Sequence, residues 1–386
     1  MKKFAIITTH PIQYYAPVFK LLHQRQKLAI KVFYTWGEGV TKSKYDPGFD
    51  KKIVWDVPLL EGYPYEWARN SSKDPGTHHF MGIVNPGLIA QIDNWQPDSV
   101  LIYGWGFYSH LNLIRHFKNK IPVLFRGDST LLDEKKGIRS FLKSVFLKWI
   151  YSNIDHALYV GTNNKAYFTK YGIKEARLHF APHAVDNDRF AADRKYEAAQ
   201  LRKELGIGDE DLLVLFAGKL EEKKDPLSLF VAFLELKPEH VHLVFAGNGP
   251  LEKQLKSKAK NYPNVHFLNF QNQSQMPVVY QACDLFCLPS KGPGETWGLT
   301  INEAMACGRA ILSSDKAGAA ADLVMPGHNG LIFKAEDHAD LLFALKKLLA
   351  AGRDGLVRMG ENSRVLIKTW NFENQVKTIE EITVHE

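Results

Sequence analysis

Short apolar runs recur along the chain, separated by longer stretches in which apolar residues return every three or four positions. The short runs predict strands at 4–8, 29–34, 99–102, 123–125 and 157–160. A second series is predicted at 212–217, 242–246, 265–268, 285–288, 310–313 and 330–332. Helical periodicity fills the intervals, for instance at 17–25, 86–94 and 139–152. Strands that alternate with helices imply a parallel α/β architecture. Leu213-Val214-Leu215-Phe216 and Leu243-Val244-Phe245-Ala246 are apolar on both faces, as strands are when helices cover the sheet on both sides. Around 182–200 a stretch containing Pro, Asp and Asn gives way to a polar, helix-forming run, which marks a boundary. The pattern therefore predicts an α/β fold class: two doubly wound Rossmann-like domains facing across a cleft. The first spans 1–190 and the second begins at 191. Ligands are expected beyond the carboxyl ends of the strands.

Composition narrows this picture. A length of 386 residues suits two domains, and 45% hydrophobic with 24% charged residues describes a globular chain. No apolar run reaches the roughly 18 residues that a membrane-spanning helix needs. The apolar stretch after Lys2-Lys3 stops at His10, too short for a signal peptide, and reads better as a buried first strand. Three cysteines, Cys283, Cys287 and Cys307, exclude a disulfide scaffold and point to a reducing, cytoplasmic home. The formal charge of +7 is uneven: residues 1–190 carry 26 Lys+Arg against 16 Asp+Glu, and residues 191–386 carry 23 against 26. The first half, at +10, suggests an anionic partner such as membrane headgroups or a phosphorylated acceptor. Nothing resembles an RNA-recognition motif, zinc finger or basic zipper, so nucleic acid is not expected as a partner.

The most informative segment is 285–309. A buried strand ends at Pro289-Ser290, a Gly/Pro loop follows, and a helix begins near Gly298-Leu299-Thr300. Free N–H groups at such a helix start form an anion-binding nest. Glu295 in the loop and Glu303 on the helix stand eight positions apart, and carboxylates accept well from paired sugar hydroxyls. Lys219 and Lys224, five residues apart after another strand and its Gly218, form a cation pair able to clamp a diphosphate. Gly247-Asn248-Gly249-Pro250 forms a further glycine turn; a dehydrogenase fingerprint is excluded because position 252 is Glu. In the first half, His10 and Gln13 follow the first strand and offer donors to sugar or phosphate. Arg126 and Asp128 end a later strand, suited to binding phosphate and orienting an acceptor hydroxyl respectively. No metal site is expected. Asp186-Asn187-Asp188 lies at the domain boundary without enough oxygen ligands, and His78-His79 reads as an acceptor-loop or surface pair lacking further ligands at short spacing. The run 135–152 interleaves Lys136, Arg139, Lys143 and Lys148 with Phe141, Phe146, Trp149 and Tyr151. It reads either as a domain helix with its aromatic side packed inward or as a basic amphipathic helix on anionic lipid, the former being preferred.

These motifs, in this order, resemble the retaining glycosyltransferases of family 4, which have the glycosyltransferase-B fold. The carriers are Pro289-Ser290, Glu295-Thr296-Trp297-Gly298, Leu299-Thr300 and Glu303-Ala304-Met305-Ala306-Cys307-Gly308, with Gly218-Lys219-Leu220 through Lys224, Gly247-Asn248-Gly249-Pro250 and Pro182-His183-Ala184-Val185-Asp186. Trp297 stands for the usual Phe, Arg309 for the common Pro and Lys219 for a frequent Arg. The resemblance implies a metal-independent enzyme without cofactor, transferring a sugar from a UDP- or GDP-sugar co-substrate to an acceptor hydroxyl with retention. The acceptor would be a glycan, a lipid-linked or a small molecule, with an anionic membrane surface as a further partner. A role in polysaccharide, lipopolysaccharide or glycolipid biosynthesis follows, in the cytoplasm or peripherally on the inner face of the membrane. Lys219, Lys224, Glu295 and Asp128 are the implied catalytic set. Gly218, Gly247, Asn248, Gly249, Trp297, Gly298, Leu299, Thr300 and Glu303 are the implied donor-binding set. The acceptor would sit on 1–190 and the nucleotide sugar on 191–368, with 369–386 a helix returning to the first domain. A non-hydrolysing sugar-nucleotide epimerase and a catalytically silent sugar-nucleotide-binding protein share the architecture.

Overall fold

The computed structural model describes residues 1–38, 44–46, 51–135 and 137–385. The chain divides into two units, each built around its own parallel sheet. The first contains residues 1–44, 58–183 and 372 onward. Its elements begin with β1 (Lys3–Thr8), α1 (Ala16–Arg25) and β2 (Ala29–Tyr34). A two-stranded sheet of β3 (Lys44–Asp46) and β4 (Lys51–Ile53) intervenes. Then follow β5 (Tyr65–Trp67), α2 (Leu88–Trp95), β6 (Ser99–Tyr103), α3 (Tyr108–Phe117), β7 (Val123–Arg126), α4 (Ile138–Tyr151), β8 (His156–Tyr159), α5 (Thr162–Lys170) and β9 (Leu178–Phe180). The strand order is β5-β2-β1-β6-β7-β8-β9.

The second unit contains 45–57 and 184–371. It runs through α6 (Asn187–Ala191), α7 (Lys195–Glu204), β10 (Leu212–Ala217), α8 (Pro226–Leu236), β11 (Val241–Ala246), α9 (Glu252–Ala259), β12 (Val265–Leu268), α10 (Met276–Ala282), β13 (Leu285–Leu288), α11 (Leu299–Ala306), β14 (Ala310–Ser314), α12 (Ala320–Leu323), β15 (Gly330–Phe333), α13 (His338–Ala350) and α14 (Gly352–Ile367). The order is β12-β11-β10-β13-β14-β15. The last helix, α15 (Phe372–His385), packs in the first unit: Val376 and Ile379 join Phe4, Ile6 and Phe19 in one apolar layer, and Arg25 pairs with Glu380 at 2.9 Å.

Each predicted strand is present with ends moved by at most one residue, because runs buried on both faces carry their signal in composition alone. The edge strands β5 and β9 escaped the pattern: three residues each, with partly exposed side chains, they form because β2 and β8 present free ladder edges. The unit boundary falls after His183 and not after 190, and residues 45–57 count with the second unit. There Asn272 donates to the Val54 carbonyl at 2.7 Å, and Trp55 meets Phe270. Helix α4 divides its aromatic residues, where the preferred reading packs them all inward. Leu147, Ile150 and Tyr151 face the core, while Phe141, Phe146 and Trp149 are exposed. Lys136 lies outside the described residues. Among those residues no helix is long and apolar enough to cross a membrane.

Both sheets share one topological feature. The chain builds outward from β1 through β2 to β5, then crosses to place β6 on the other side of β1. The second unit does the same from β10, through β11 and β12, to β13. At such switch points the connections leave in opposite directions and open a crevice at the carboxyl ends. The ends that matter are Thr8 with Tyr103 in one unit and Ala217 with Leu288 in the other.

Candidate functional site

At the β10/β13 switch point the structure brings together segments more than sixty residues apart in sequence. After β10, Gly218 leads into half-buried Lys219 and the turn that ends in Lys224. After β13, Ser290 and the following loop lead to Glu295 and α11. The Lys224 ammonium pairs with Glu295 Oε2, both side chains largely buried, and the Ser290 hydroxyl donates to the same oxygen at 3.0 Å. The two loops are tied further by the Lys291 N–H to the Lys223 carbonyl at 2.9 Å, and the Lys291 ammonium lies 3.2 Å from Glu222. Lys291 thus adds a cation beside the pair, a position the sequence showed only as a loop residue.

The glycine turn 247–250 supports this site from behind. A Cβ on Gly247 would stand 2.1 Å from the Gly218 carbonyl oxygen, so only glycine allows that approach. The Leu220 N–H donates to the Asn248 carbonyl at 3.0 Å, and the Leu251 N–H to the Leu220 carbonyl at 2.9 Å. The Asn248 amide, 6% exposed, donates to Glu252 at 2.8 Å and accepts from the Phe270 N–H at 2.7 Å. Its side chain therefore holds the turn. Trp297, only 3% exposed, donates to Asn302 at 2.9 Å and packs its ring 5.2 Å from Trp370, contacts that seat the loop.

Gly298 ends the loop with φ of +94° and serves as the N-cap of α11, which has no side-chain cap. Helix starts leave N–H groups unsatisfied within the helix. Beside them the buried Thr300 hydroxyl oxygen finds no hydrogen-bond partner among the described residues. Glu295 Oε1 lies 3.6 Å from where a Gly298 Cβ would stand, which places the carboxylate against the helix start. One turn on, Glu303 is 2% exposed and accepts from the Tyr280 hydroxyl at 2.8 Å. Tyr280, on α10, carried no sequence signal; its neighbour exists only through packing. The Cys283, Cys287 and Cys307 thiols are buried and free, and burial pushes Cys283 up to about 12, which keeps it an inert thiol.

The β1/β6 switch point of the first unit opens a pocket of about 190 Å³ lined by Thr8, Thr9, Tyr15, Tyr103, Arg126, Asp128 and His183 among others. Arg126 is 2% exposed and donates to the Ala181 and Pro182 carbonyls at 2.7 and 3.2 Å. That guanidinium clamps the chain after β9, and its buried Nε has no hydrogen-bond partner among the described residues. Asp128 is about half exposed, 3.9 Å from His183 Nε2. Burial lowers the His183 pKa against the opposing pull of Asp128, so the ring is neutral at physiological pH. His10 and Gln13 are not among the lining residues; His10 Nδ1 meets the Thr9 hydroxyl at 2.9 Å and its ring packs edge-on to Trp36. Two histidines went unremarked in the sequence as site candidates. His183 lies inside the boundary motif, where proline and valine drew the reading. His110 is fully buried, meets the Thr35 hydroxyl at 2.9 Å and the Tyr103 carbonyl at 3.0 Å, and is held down to about 4 by burial.

The whole arrangement is that of the glycosyltransferase-B fold. The Anabaena protein HepE, in a structure with UDP, superposes over 100% of both chains with a TM-score of 0.74 at 17% identity. WaaG, a glycosyltransferase involved in lipopolysaccharide biosynthesis, covers 99% of this chain with a TM-score of 0.68 at 16% identity. Residues 197–366, which hold the switch-point site of the second unit, match the family Glycosyl transferases group 1. The D-inositol 3-phosphate glycosyltransferase of Nocardia farcinica is 32% identical over 202 residues, covering 49% of this chain and 43% of its own. A GDP-mannose-dependent phosphatidylinositol monomannoside mannosyltransferase of Mycolicibacterium smegmatis is 26% identical over 216 residues, 54% and 56% of the two chains. The chain thus spans about half the length of the relatives it matches, and the stretch matched by the family model contains Lys224, Glu295 and Glu303.

Proposed function

We propose that this chain is a retaining glycosyltransferase that moves a sugar from a nucleoside diphosphate donor, UDP- or GDP-linked, to an acceptor hydroxyl without a metal at the diphosphate. The observation that supports it best is the convergence, at one switch point, of Lys224, Glu295 and an uncapped helix start with a partnerless Thr300 hydroxyl. In such a transfer the sugar becomes oxocarbenium-like and negative charge grows on the departing diphosphate. Lys219 and Lys224 would carry that charge with the α11 N–H groups and the Thr300 hydroxyl. Donor binding would draw the Lys224 ammonium toward phosphate and release Glu295 to accept from sugar hydroxyls. Glu303, already oriented by Tyr280, would hold the ribose. In the first unit, Asp128 and His183 at the mouth of the 190 Å³ pocket would position the acceptor. The relative that is GDP-mannose-dependent and the neighbour solved with UDP are both in keeping with this donor class. Incubation of the full chain in EDTA with UDP- and GDP-sugars, with and without a panel of glycan and lipid acceptors, tests the reading. Acceptor-dependent release of nucleoside diphosphate is expected. Acceptor-independent conversion to an isomeric sugar nucleotide would mark an epimerase, and binding without turnover a silent protein.

The outward face of α4 supports a membrane-borne acceptor. Ile138 is 79% exposed, Phe141 66% and Leu142 63%, a contiguous apolar side flanked by exposed Arg139, Lys143 and Lys148. An apolar stripe with cations beside it, on the half of the chain that carries +10, matches an anionic bilayer in both chemistry and sign. Vesicles with 30% anionic lipid should retain the wild-type chain in flotation, with retention falling at least about tenfold in Phe141→Ser/Trp149→Ser, since each buried aromatic contributes on the order of 1.5–3 kcal/mol. Equal flotation of both proteins would remove the membrane reading.

A further inference from the structure

Between β5 and α2 the chain makes a closed loop at the carboxyl edge of the first unit's sheet. Asn70 ties its two ends, donating to the Gly82 carbonyl at 2.9 Å and accepting from the Val84 N–H at 3.0 Å. The Gly76 N–H donates to the Gly82 carbonyl at 3.1 Å, so the loop is fixed at its waist as well. At its tip, Asp74, His78 and His79 turn their ligand atoms to one point. Asp74 Oδ2 lies 3.1 Å from His78 Nε2 and 3.3 Å from His79 Nε2, which also meets the Asp74 carbonyl at 3.0 Å, and the three ligand atoms fall within 4.8 Å of one another. The Asp-x3-His-His spacing is short, and the expectation that these histidines lack a further ligand overlooked Asp74.

This convergence is unusual on elementary grounds. Adjacent side chains on an extended backbone diverge, and His79 has φ −151° and ψ 163°, yet both imidazoles meet the same carboxylate oxygen. Gly76 makes it possible: a Cβ there would stand 2.4 Å from His78 Nδ1, so the missing side chain is the seat of that ring. Tetrahedral coordination with bonds of about 2.0–2.1 Å puts neighbouring ligand atoms about 3.3 Å apart. The two oxygen–nitrogen separations, 3.1 and 3.3 Å, are close to that length.

We propose that Asp74, His78 and His79 bind one divalent cation of the zinc class, with at least one position left to solvent, and that the ion pins the 71–82 loop. Two imidazoles and a carboxylate suit a borderline cation and not Mg²⁺ or Ca²⁺, which take oxygen sets. Each ring would bind the metal through Nε2 as an imidazole carrying its one proton on Nδ1, and any further ring proton is released to solvent. The site is separate from the residues proposed to act on the diphosphate, so it stands or falls independently of the transferase reading.

The test is a ZnCl₂ titration of the EDTA-stripped full chain against a chromophoric chelator. One equivalent bound more tightly than about 1 μM is expected for a three-ligand site. His78→Ala/His79→Ala should weaken binding at least about tenfold and Asp74→Asn severalfold, while His240→Ala/His242→Ala, on the histidine pair beside Asp211, should leave it unchanged. A second readout uses the exposed Lys73–Asp74 bond: zinc should slow tryptic cleavage there in the wild type and not in His79→Ala. Zinc affinity that is the same in the wild type and the double histidine variant, or cleavage at Lys73 indifferent to zinc, overturns the proposal.

Discussion

Lys224→Ala is expected to lower turnover by about a hundredfold with donor at saturation, the usual scale for removing one preorganised stabiliser of transition-state charge. Two effects must be separated. Lys224 neutralises Glu295, itself only 7% exposed, and its loss would leave the carboxylate with the Ser290 hydroxyl as hydrogen-bond donor. An uncompensated buried carboxylate costs about 3–5 kcal/mol, so the single variant should also unfold at lower urea. Lys224→Ala/Glu295→Gln removes the stranded charge. It should regain most of the stability and none of the turnover. Recovery of wild-type turnover in the double variant would show that Lys224 acts on Glu295 alone, and the diphosphate role would fall.

Glu303→Gln is expected to act differently. A carboxylate holding ribose hydroxyls is equally engaged before and during transfer, so its loss should raise KM at least about tenfold, worth about 1.4 kcal/mol, with kcat little changed. The Tyr280→Phe control removes the hydroxyl that orients the carboxylate at 2.8 Å without removing the carboxylate. A rise in KM of a fewfold should follow. A fall in kcat at constant KM in Glu303→Gln would place this group at the reacting sugar and exchange its role with that of Glu295.

Much of the second unit was legible because its site is written in contiguous motifs. Ser290, Glu295, Gly298 and Glu303 lie within fourteen residues, and the fold has only to end a strand and start a helix to present them. Asn248 and Trp297 sit in motifs too, but what their side chains touch was not legible there: Asn248 meets Glu252 and Phe270, and Trp297 meets Asn302 and Trp370. The first unit was harder. Arg126, at a strand end, has the right chemistry for phosphate, yet its guanidinium is spent on the Ala181 and Pro182 carbonyls, fifty-five and fifty-six residues away.

The order of strands and helices, the two-unit division and the candidate donor residues follow from the sequence by itself, since local periodicity and buried strand composition depend on near neighbours. Tertiary structure alone decided which groups meet. It paired Lys224 with Glu295 and Tyr280 with Glu303, turned Phe141, Phe146 and Trp149 of α4 outward, and brought Asp74 to His78 and His79. The pairings of Lys224 and Tyr280 and the facing of α4 are set by packing between segments distant in sequence, and the meeting at Asp74 by how the 71–82 loop closes on itself. Local periodicity encodes neither.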